Sequence, residues 1–261
     1  LVEVESNLWH GHDLWQAYGH IAVKVNRTNP PLTTHEIDAS FDLPYTRLPH
    51  PRYRGKRIPA YEMIRHSICL HRGCFGGCAF CTISARQGKF VVSRSKESIM
   101  REVRAVVRQP DFHGTLSDLG GPSANMYRMC GRKLEACKRC RRPSCIFPRI
   151  CPNLNGDHTY LTDIYRAVDA LPEVKHSYIG SGVRYDLLLH DWGNEHLNRA
   201  AADYTSELIL HHVGGRLKVA PEHSSDAVLK LMRKPPFALF GEFKRRFDKL
   251  NREAGLRQQI I

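Results

Sequence analysis

The stretch His71–Cys81, HRGCFGGCAFC, decides how the rest of this 261-residue chain is interpreted. It holds Cys74, Cys78 and Cys81 in a Cys-x3-Cys-x2-Cys spacing, with two glycines and two aromatic residues between them. Thiolates grouped this closely suit a soft metal ion or an iron–sulfur cluster. Three thiolates on a four-iron cluster leave one iron open to bind and activate another molecule.

A structural zinc ion is the alternative occupant of this loop. Zinc needs four ligands in a closed tetrahedron, and His71 or Cys69 offers the fourth. The chain has nine cysteines, an odd number, and no secretory signal, so metal or redox chemistry is favoured over disulfides. Iron–sulfur and zinc chemistry therefore both remain open from the residues alone.

The alternation of elements around this stretch predicts an α/β fold. Short apolar runs at 67–70, 114–121, 174–182 and 215–223 are separated by amphipathic helical patterns at 95–110, 157–172, 194–212 and 237–255, and a fifth strand begins at LRQQII. Helical crossovers imply parallel strands. The carboxyl ends of these strands place the loops 71–81, 119–125, 180–186 and 220–224 together. The periodicity does not choose between an open sheet and a partial barrel.

The charge is concentrated in one segment. The chain carries a net charge of +13, and residues 128–149 contribute eight Lys or Arg against one acid, Glu135. This basic run indicates an anionic partner, RNA among them, or else a solvated face or charges that balance a thiolate site. The solvated or balancing interpretation is preferred.

Several motifs together resemble a known family. The cysteine loop, with Phe80 before its last cysteine, resembles the signature of the radical S-adenosylmethionine (radical SAM) superfamily. The segments SDLGGPSANMYRMCG, SGVRYDL and LKVAPEH resemble the YgiQ-type branch of that superfamily. The resemblance implies a partial (β/α)6 TIM-like barrel over residues 61–261, with a Cys-rich basic insertion at 122–156. Residues 1–60 are expected to form an irregular lead-in with a short helix near 34–41.

The resemblance also implies a mechanism. Cys74, Cys78 and Cys81 would hold a 4Fe-4S cluster whose open iron binds SAM. Reductive cleavage of SAM would give a 5′-deoxyadenosyl radical that abstracts hydrogen from an unknown substrate. The implied cofactor-binding residues lie on the loops at the strand ends: Phe80, Gly120, Gly121, Ser181, Arg184, Lys218 and Glu222. Where the family has an acidic residue after two glycines, this chain has Pro122, and Asp118 is the nearby alternative.

The insertion suggests a second metal site. It contains five cysteines within 22 residues, and one pair has the Cys-x2-Cys spacing of a metal knuckle: Cys130, Cys137, Cys140, Cys145 and Cys151. A second iron–sulfur cluster, a structural zinc ion and a set of free buried thiols are the alternatives. The rival function for the whole chain is a non-catalytic zinc-binding, nucleic-acid-binding module.

The sequence also predicts the location of the protein in the cell and its electron donor. No apolar run is long enough to span a membrane, and we expect a cytoplasmic protein with no membrane partner. An enzyme of this class implies a one-electron donor such as a flavodoxin or ferredoxin. The chain lacks an initiator Met and ends on an apolar run, so we expect a fragment that is truncated at its C-terminus.

Overall fold

The structure, a computed structural model, describes residues 1–261. Its N-terminal part holds three helices and one antiparallel hairpin: α1 Val2–Ser6, β1 Leu14–Tyr18, β2 Ile21–Val25, α2 Thr34–Phe41 and α3 Pro59–Ile64. The helix predicted near 34–41 is confirmed as α2, where Thr33 and Glu36 form a capping box.

The hairpin was not predicted. Leu14 pairs with Val25 and Tyr18 with Ile21. The two strands are rich in aromatic and β-branched residues, and they meet at a two-residue turn in which Gly19 has a φ of +55°. This turn signal, rather than burial, explains the hairpin, because both strands are largely exposed.

The rest of the chain alternates between strands and helices, as predicted. Its elements are β3 Ser67–Cys69, β4 His71–Arg72, α4 Ile83–Gln87, β5 Val92–Ser93, α5 Lys96–Val107, β6 Thr115–Leu116, β7 Asp118–Gly120, α6 Leu134–Lys138, α7 Thr159–Asp169, β8 His176–Ser177, α8 Tyr185–Leu189, α9 Glu195–His211, β9 Arg216–Leu217, α10 Asp226–Met232, α11 Phe237–Glu253 and β10 Gln259–Ile260. A mixed α/β fold is therefore present.

The principal strands pair in parallel, in small sheets of two strands each. β3 pairs with β7, β6 with β8, and β9 with β10. The backbone N–H of Leu119 also donates to the C=O of Tyr178, and that of Val183 donates to the C=O of Lys218. Strands that follow one another along the chain thus lie side by side. The loops after β7, β8 and β9 therefore share one edge of the strand arrangement.

The four long helices have the predicted faces. In α5, Ser95 caps the N-terminus, and Ile99, Val103 and Val106 are fully buried. α11 ends before Gly255, whose φ is +65°. These helices cover the strands in a core of 27 buried residues. None of the helices is long and apolar enough to cross a membrane.

The insertion has little regular structure. Besides α6 it contains a short 3₁₀ turn, Ala124–Met126, and one isolated bridge between Gly131 and Leu154. Its apolar support is a cluster of six buried residues, one of which, Phe75, belongs to the cysteine loop. The insertion therefore packs directly on the cysteine loop.

Candidate functional site

Glycines shape the cysteine loop, which follows β4. Gly77 has a φ of +60°, and a Cβ on it would lie 2.3 Å from the carbonyl oxygen of Pro143. Gly73 has a φ of +86°, and a Cβ there would lie 2.3 Å from the carbonyl oxygen of Phe90. Both positions need glycine, because any side chain would combine a left-handed backbone with a collision. The loop is thereby held against the main domain and the insertion.

The first two cysteines of the motif turn their sulfurs toward Gly76. A Cβ on Gly76 would lie 3.3 Å from Sγ of Cys74 and 3.8 Å from Sγ of Cys78. Burial raises the pKa of the Cys74 thiol, the Gly76 N–H and Arg184 oppose this, and the nearby Cys78 and Cys81 raise the pKa further. The three thiols are therefore close enough to influence one another.

The donor set suits a thiophilic group rather than a hard cation. The loop offers three sulfurs and no carboxylate, and two of the sulfurs, those of Cys74 and Cys78, meet beside Gly76. No three His, Cys, Asp or Glu side chains in the structure converge at metal-coordinating geometry. The residue types nevertheless fit an iron–sulfur cluster, because the loop supplies thiols alone. The three thiols would move together when the cluster binds.

A buried guanidinium lies against this loop. Nη1 of Arg184 lies 3.5 Å from Sγ of Cys78. On its other side Arg184 forms a bidentate pair with Asp186, with distances of 2.9 Å from Nε to Oδ1 and 2.6 Å from Nη2 to Oδ2. Burial opposes the charge, but Asp186 and the two nearest thiols raise the pKa of Arg184. The arrangement places a fixed positive charge beside Cys78.

A second cation lies close to this pair. Lys234 is 5% exposed, and burial, followed by the charge of Arg184, lowers its pKa. Its Nζ lies 3.7 Å from Oε1 of Glu222. Neither Asp186 nor Lys234 was predicted from the sequence. The position of Asp186, two residues after Arg184, is a sequence feature that could have pointed to it. No sequence feature points to Lys234.

The glycine-rich end of β7 borders a cavity of about 300 Å³. The walls of this cavity include residues from the cysteine-loop side and from two strand ends: Cys69, Arg72, Gln87, Asp118, Gly120, Gly121 and Ser181. Ser181 Oγ donates to Oδ2 of Asp118 at 2.5 Å, and the N–H groups of Gly180 and Ser181 donate to Oδ1. Burial raises the pKa of Asp118, although these hydrogen bonds and Lys218 oppose the change. Predicted Gly120, Gly121 and Ser181 are thus brought together.

His71 lies beneath this glycine pair. A Cβ on Gly121 would lie 2.5 Å from Cε1 of the His71 ring. The ring is fully buried, and burial lowers its pKa to about 4, although a hydrogen bond with the Ser123 backbone partly opposes this. His71 is therefore a neutral ring that packs against the floor of the 300 Å³ cavity.

The other predicted residues lie at the rim of this region. Phe80 is 52% exposed, at the end of the cysteine loop. Lys218 is exposed beyond β9, where its charge reaches Asp118. Glu222, with a φ of +72°, contacts Lys234 rather than capping α10, which Ser225 precedes. Arg184, which the resemblance implies as a cofactor-binding residue, has a partner in Asp186.

A larger cavity of about 680 Å³ begins on the other side of Arg184. Asp186 and Lys234 line it, together with residues 146–150 of the insertion and the Pro235–Pro236 turn. Its walls are mainly apolar, with Arg149 and Lys230 among the charged residues. Asp186 thus connects the Arg184 guanidinium to this cavity.

The chain is similar to one family model and to several known proteins. Residues 1–67 match the family model for the radical SAM N-terminal domain. The whole chain is 62% identical to a UPF0313 protein of Bacteroides thetaiotaomicron and 60% identical to one of Porphyromonas gingivalis, of which it covers 42% and 41%. It is 45% identical to a UPF0313 protein of Pseudomonas syringae pv. tomato, of which it covers 33%.

The family-model match and the UPF0313 relatives support the radical SAM assignment of the chain. The family model covers the N-terminal lead-in rather than the cysteine loop, so the roles of the individual cysteines rest on the geometry above. The chain spans about two fifths of the length of the first two of these relatives.

Proposed function

We propose that this protein is a radical SAM enzyme that uses Cys74, Cys78 and Cys81 to hold a 4Fe-4S cluster. The observation that carries the proposal is the position of the cysteine loop. The sulfurs of Cys74 and Cys78 meet beside Gly76, and the 300 Å³ cavity is lined by Arg72, just before the loop, and by Gly120, Gly121 and Ser181. The cluster with bound SAM would supply an electron and a 5′-deoxyadenosyl radical that abstracts hydrogen from a substrate.

The residues of the chain have separable tasks in this proposal. Gly120 and Gly121 pack against Ser181 and His71, where any side chain would collide, and their backbone lines the cavity that would receive SAM. The Asp118–Ser181 pair offers hydrogen bonds to a ribose or an ammonium group. Arg184 places a positive charge 3.5 Å from the Cys78 sulfur, where it would offset the negative charge of a thiolate-bound cluster. Phe80, exposed beside the loop, would pack near adenine, and Lys218 and Glu222 at the rim would contact ribose or substrate.

The complete fold and the partners are part of the same proposal. The sequential order of the parallel strands supports a partial (β/α)6 barrel in the complete protein. We place the protein in the cytoplasm with a flavodoxin or ferredoxin as electron donor. The basic run 128–149 supports an anionic substrate, with RNA as one class.

The test is SAM cleavage by the full-length protein. Protein reconstituted anaerobically with iron and sulfide should form 5′-deoxyadenosine when SAM and a strong reductant are added. Cys78→Ala should lose the reaction entirely, because no other thiol of the loop can replace the missing ligand. Iron and acid-labile sulfide should fall in parallel.

Cys130→Ala is the matched control, since Cys130 is an exposed cysteine outside the loop. It should cleave SAM at the wild-type rate. Undiminished cleavage by folded Cys78→Ala would refute the proposal. A colourless protein that holds zinc at the loop would instead favour the zinc-binding, nucleic-acid-binding module.

A further inference from the structure

The side chain of Lys89 is a buried cation without an acidic partner. Lys89 is 2% exposed. Its Nζ donates to the carbonyl oxygens of Cys140 at 3.2 Å and Arg142 at 2.7 Å, and lies 5.3 Å from the centre of the Phe90 ring. Carbonyl dipoles satisfy its hydrogens but leave its full charge uncompensated. Because a buried unpaired charge is costly, a negative group is expected nearby.

Lys89 is hydrogen-bonded to the backbone of the segment that carries four cysteines of the insertion. The N–H of Cys140 donates to the C=O of Cys137 at 3.1 Å, which forms a tight turn at the Cys-x2-Cys knuckle. The N–H of Cys151 donates to the C=O of Cys145 at 2.7 Å, which closes a second turn. Two turns that each present two cysteines are the usual construction of a four-thiolate metal site.

The thiols of the two turns affect the pKa values of one another. Burial raises the pKa of Cys145 to about 12, the charge of Lys89 opposes this, and Cys151, Cys140 and Cys137 raise it further. Burial likewise raises the pKa of Cys137, followed by the effects of Cys140 and Cys151. As neutral thiols, the four would leave Lys89 without a counter-charge, whereas metal-bound thiolates would supply one.

Cys130 lies apart from these four. It is the one exposed cysteine of the nine, and it sits beside the isolated bridge at Gly131. It raises the pKa of Cys137 less than Cys140 and Cys151 do. The fifth cysteine of the insertion is therefore surplus to a four-ligand site.

The insertion also lacks another source of stability. It has one five-residue helix, one isolated bridge and a share in a core of six buried residues. Segments this poor in core commonly depend on a metal for their folded structure. The four thiols are not yet at coordinating geometry, so their final ordering would accompany metal binding.

We propose that Cys137, Cys140, Cys145 and Cys151 form a second, four-thiolate centre for a thiophilic metal, either an iron–sulfur cluster or zinc, with Lys89 as its buried counter-charge and Cys130 outside it. Four thiolates give a net charge of about −2 with either occupant, because each contributes one negative charge and the metal group contributes about +2. This proposal does not depend on SAM chemistry at the first loop.

The test removes the first loop from the measurement. A full-length Cys74→Ala/Cys78→Ala/Cys81→Ala variant is purified anaerobically, and its iron, acid-labile sulfide and zinc are measured. It should retain either about four iron and four sulfide or about one zinc per chain. The first result identifies a cluster and the second a structural zinc ion. Retained folding is checked by circular dichroism.

Matched cysteine variants in that background decide the ligand set. Adding Cys140→Ala or Cys151→Ala should reduce the metal to background, and adding Cys130→Ala should leave it unchanged. Adding Lys89→Met should speed the loss of metal to a chelator without changing the ligand count. A folded background variant with neither iron nor zinc would overturn the proposal, as would equal losses from Cys130→Ala and Cys140→Ala. Neither result would bear on SAM cleavage by the unmodified protein.

Discussion

At the scale of single residues, Arg184 and Asp186 form the best-defined polar pair of the site. Both are buried, at 9% and 6% exposure, and both atoms of the carboxylate accept hydrogen bonds from the guanidinium. The pair leaves only Nη1 of Arg184 directed toward Cys78. Asp186 therefore fixes the orientation of the charge that faces the cysteine loop, and it does so from two residues away in the sequence.

Removing one partner of the Arg184–Asp186 pair should destabilise the protein much more than removing both. Asp186→Ala leaves the Arg184 charge buried and unpaired, and we expect it to lower the free energy of unfolding by about 3–5 kcal/mol. The double variant Arg184→Met/Asp186→Leu removes both charges and should lose less than Asp186→Ala alone. Urea denaturation of the three proteins measures these differences. A double variant that loses as much free energy of unfolding as Asp186→Ala, or more, would contradict this coupling of the pair.

At the scale of elements, the joint between the cysteine loop and the insertion is made by one short segment. Ser144 is fully buried, and its Oγ donates to the C=O of Gly76 at 2.7 Å. The same Oγ accepts from the N–H groups of Ile146 and Phe147, and the N–H of Cys145 donates to the C=O of Phe75. The two cysteine-rich segments thus share a hydrogen-bonded seam.

Ser144→Ala tests this seam. The substitution leaves the Gly76 carbonyl and two buried N–H groups short of a partner, which should cost about 1–3 kcal/mol of unfolding free energy. Ser40→Ala is the control, because Ser40 donates to a carbonyl on the exposed helix α2 and its loss should cost no more than about 0.5 kcal/mol. Chemical denaturation of both variants gives the comparison. Equal, small losses would mean that the seam contributes nothing.

At the scale of the whole molecule, buried histidines link stability to pH. His158 is fully buried between Asn125 and the ring of Tyr204, and burial lowers its pKa to about 4 from an ordinary value of 6.5. His71 has the same shift. In the unfolded chain these rings bind protons below about pH 6.5, whereas in the folded protein they stay neutral until about pH 4. Acid therefore favours the unfolded state in this window.

The sign of this effect can be measured with one substitution. As the pH falls from 7 to 5, proton uptake by His158 in the unfolded chain should lower the free energy of unfolding by about 2 kcal/mol. Each unit of difference in pKa between the folded and unfolded states is worth about 1.36 kcal/mol. His158→Gln should therefore show a shallower loss over this range than wild type, whatever its stability at pH 7. His113→Gln, at an exposed position, should keep the wild-type slope. Parallel slopes for all three proteins would contradict the assignment to His158.

The sequence by itself predicted the radical SAM assignment and the alternation of short strands with four long helices. The Cys-x3-Cys-x2-Cys spacing, the caps at Ser95 and Gly255 and the apolar faces of the long helices are local features. They depend on residues within one or two turns of each other, so a single sequence displays them. The same local information predicted the glycines at the end of β7, and the radical SAM assignment followed from the motifs.

Only the tertiary structure decided which distant groups meet. Lys89 and Cys145, Ser144 and Gly76, and Lys234 and Glu222 come together because separate segments pack on the cysteine loop. Burial then changes what each group does: it leaves Lys89 without an acidic partner, keeps His71 neutral and gives Arg184 a fixed carboxylate. No spacing rule encodes these effects, because desolvation depends on all of the atoms that surround a charge.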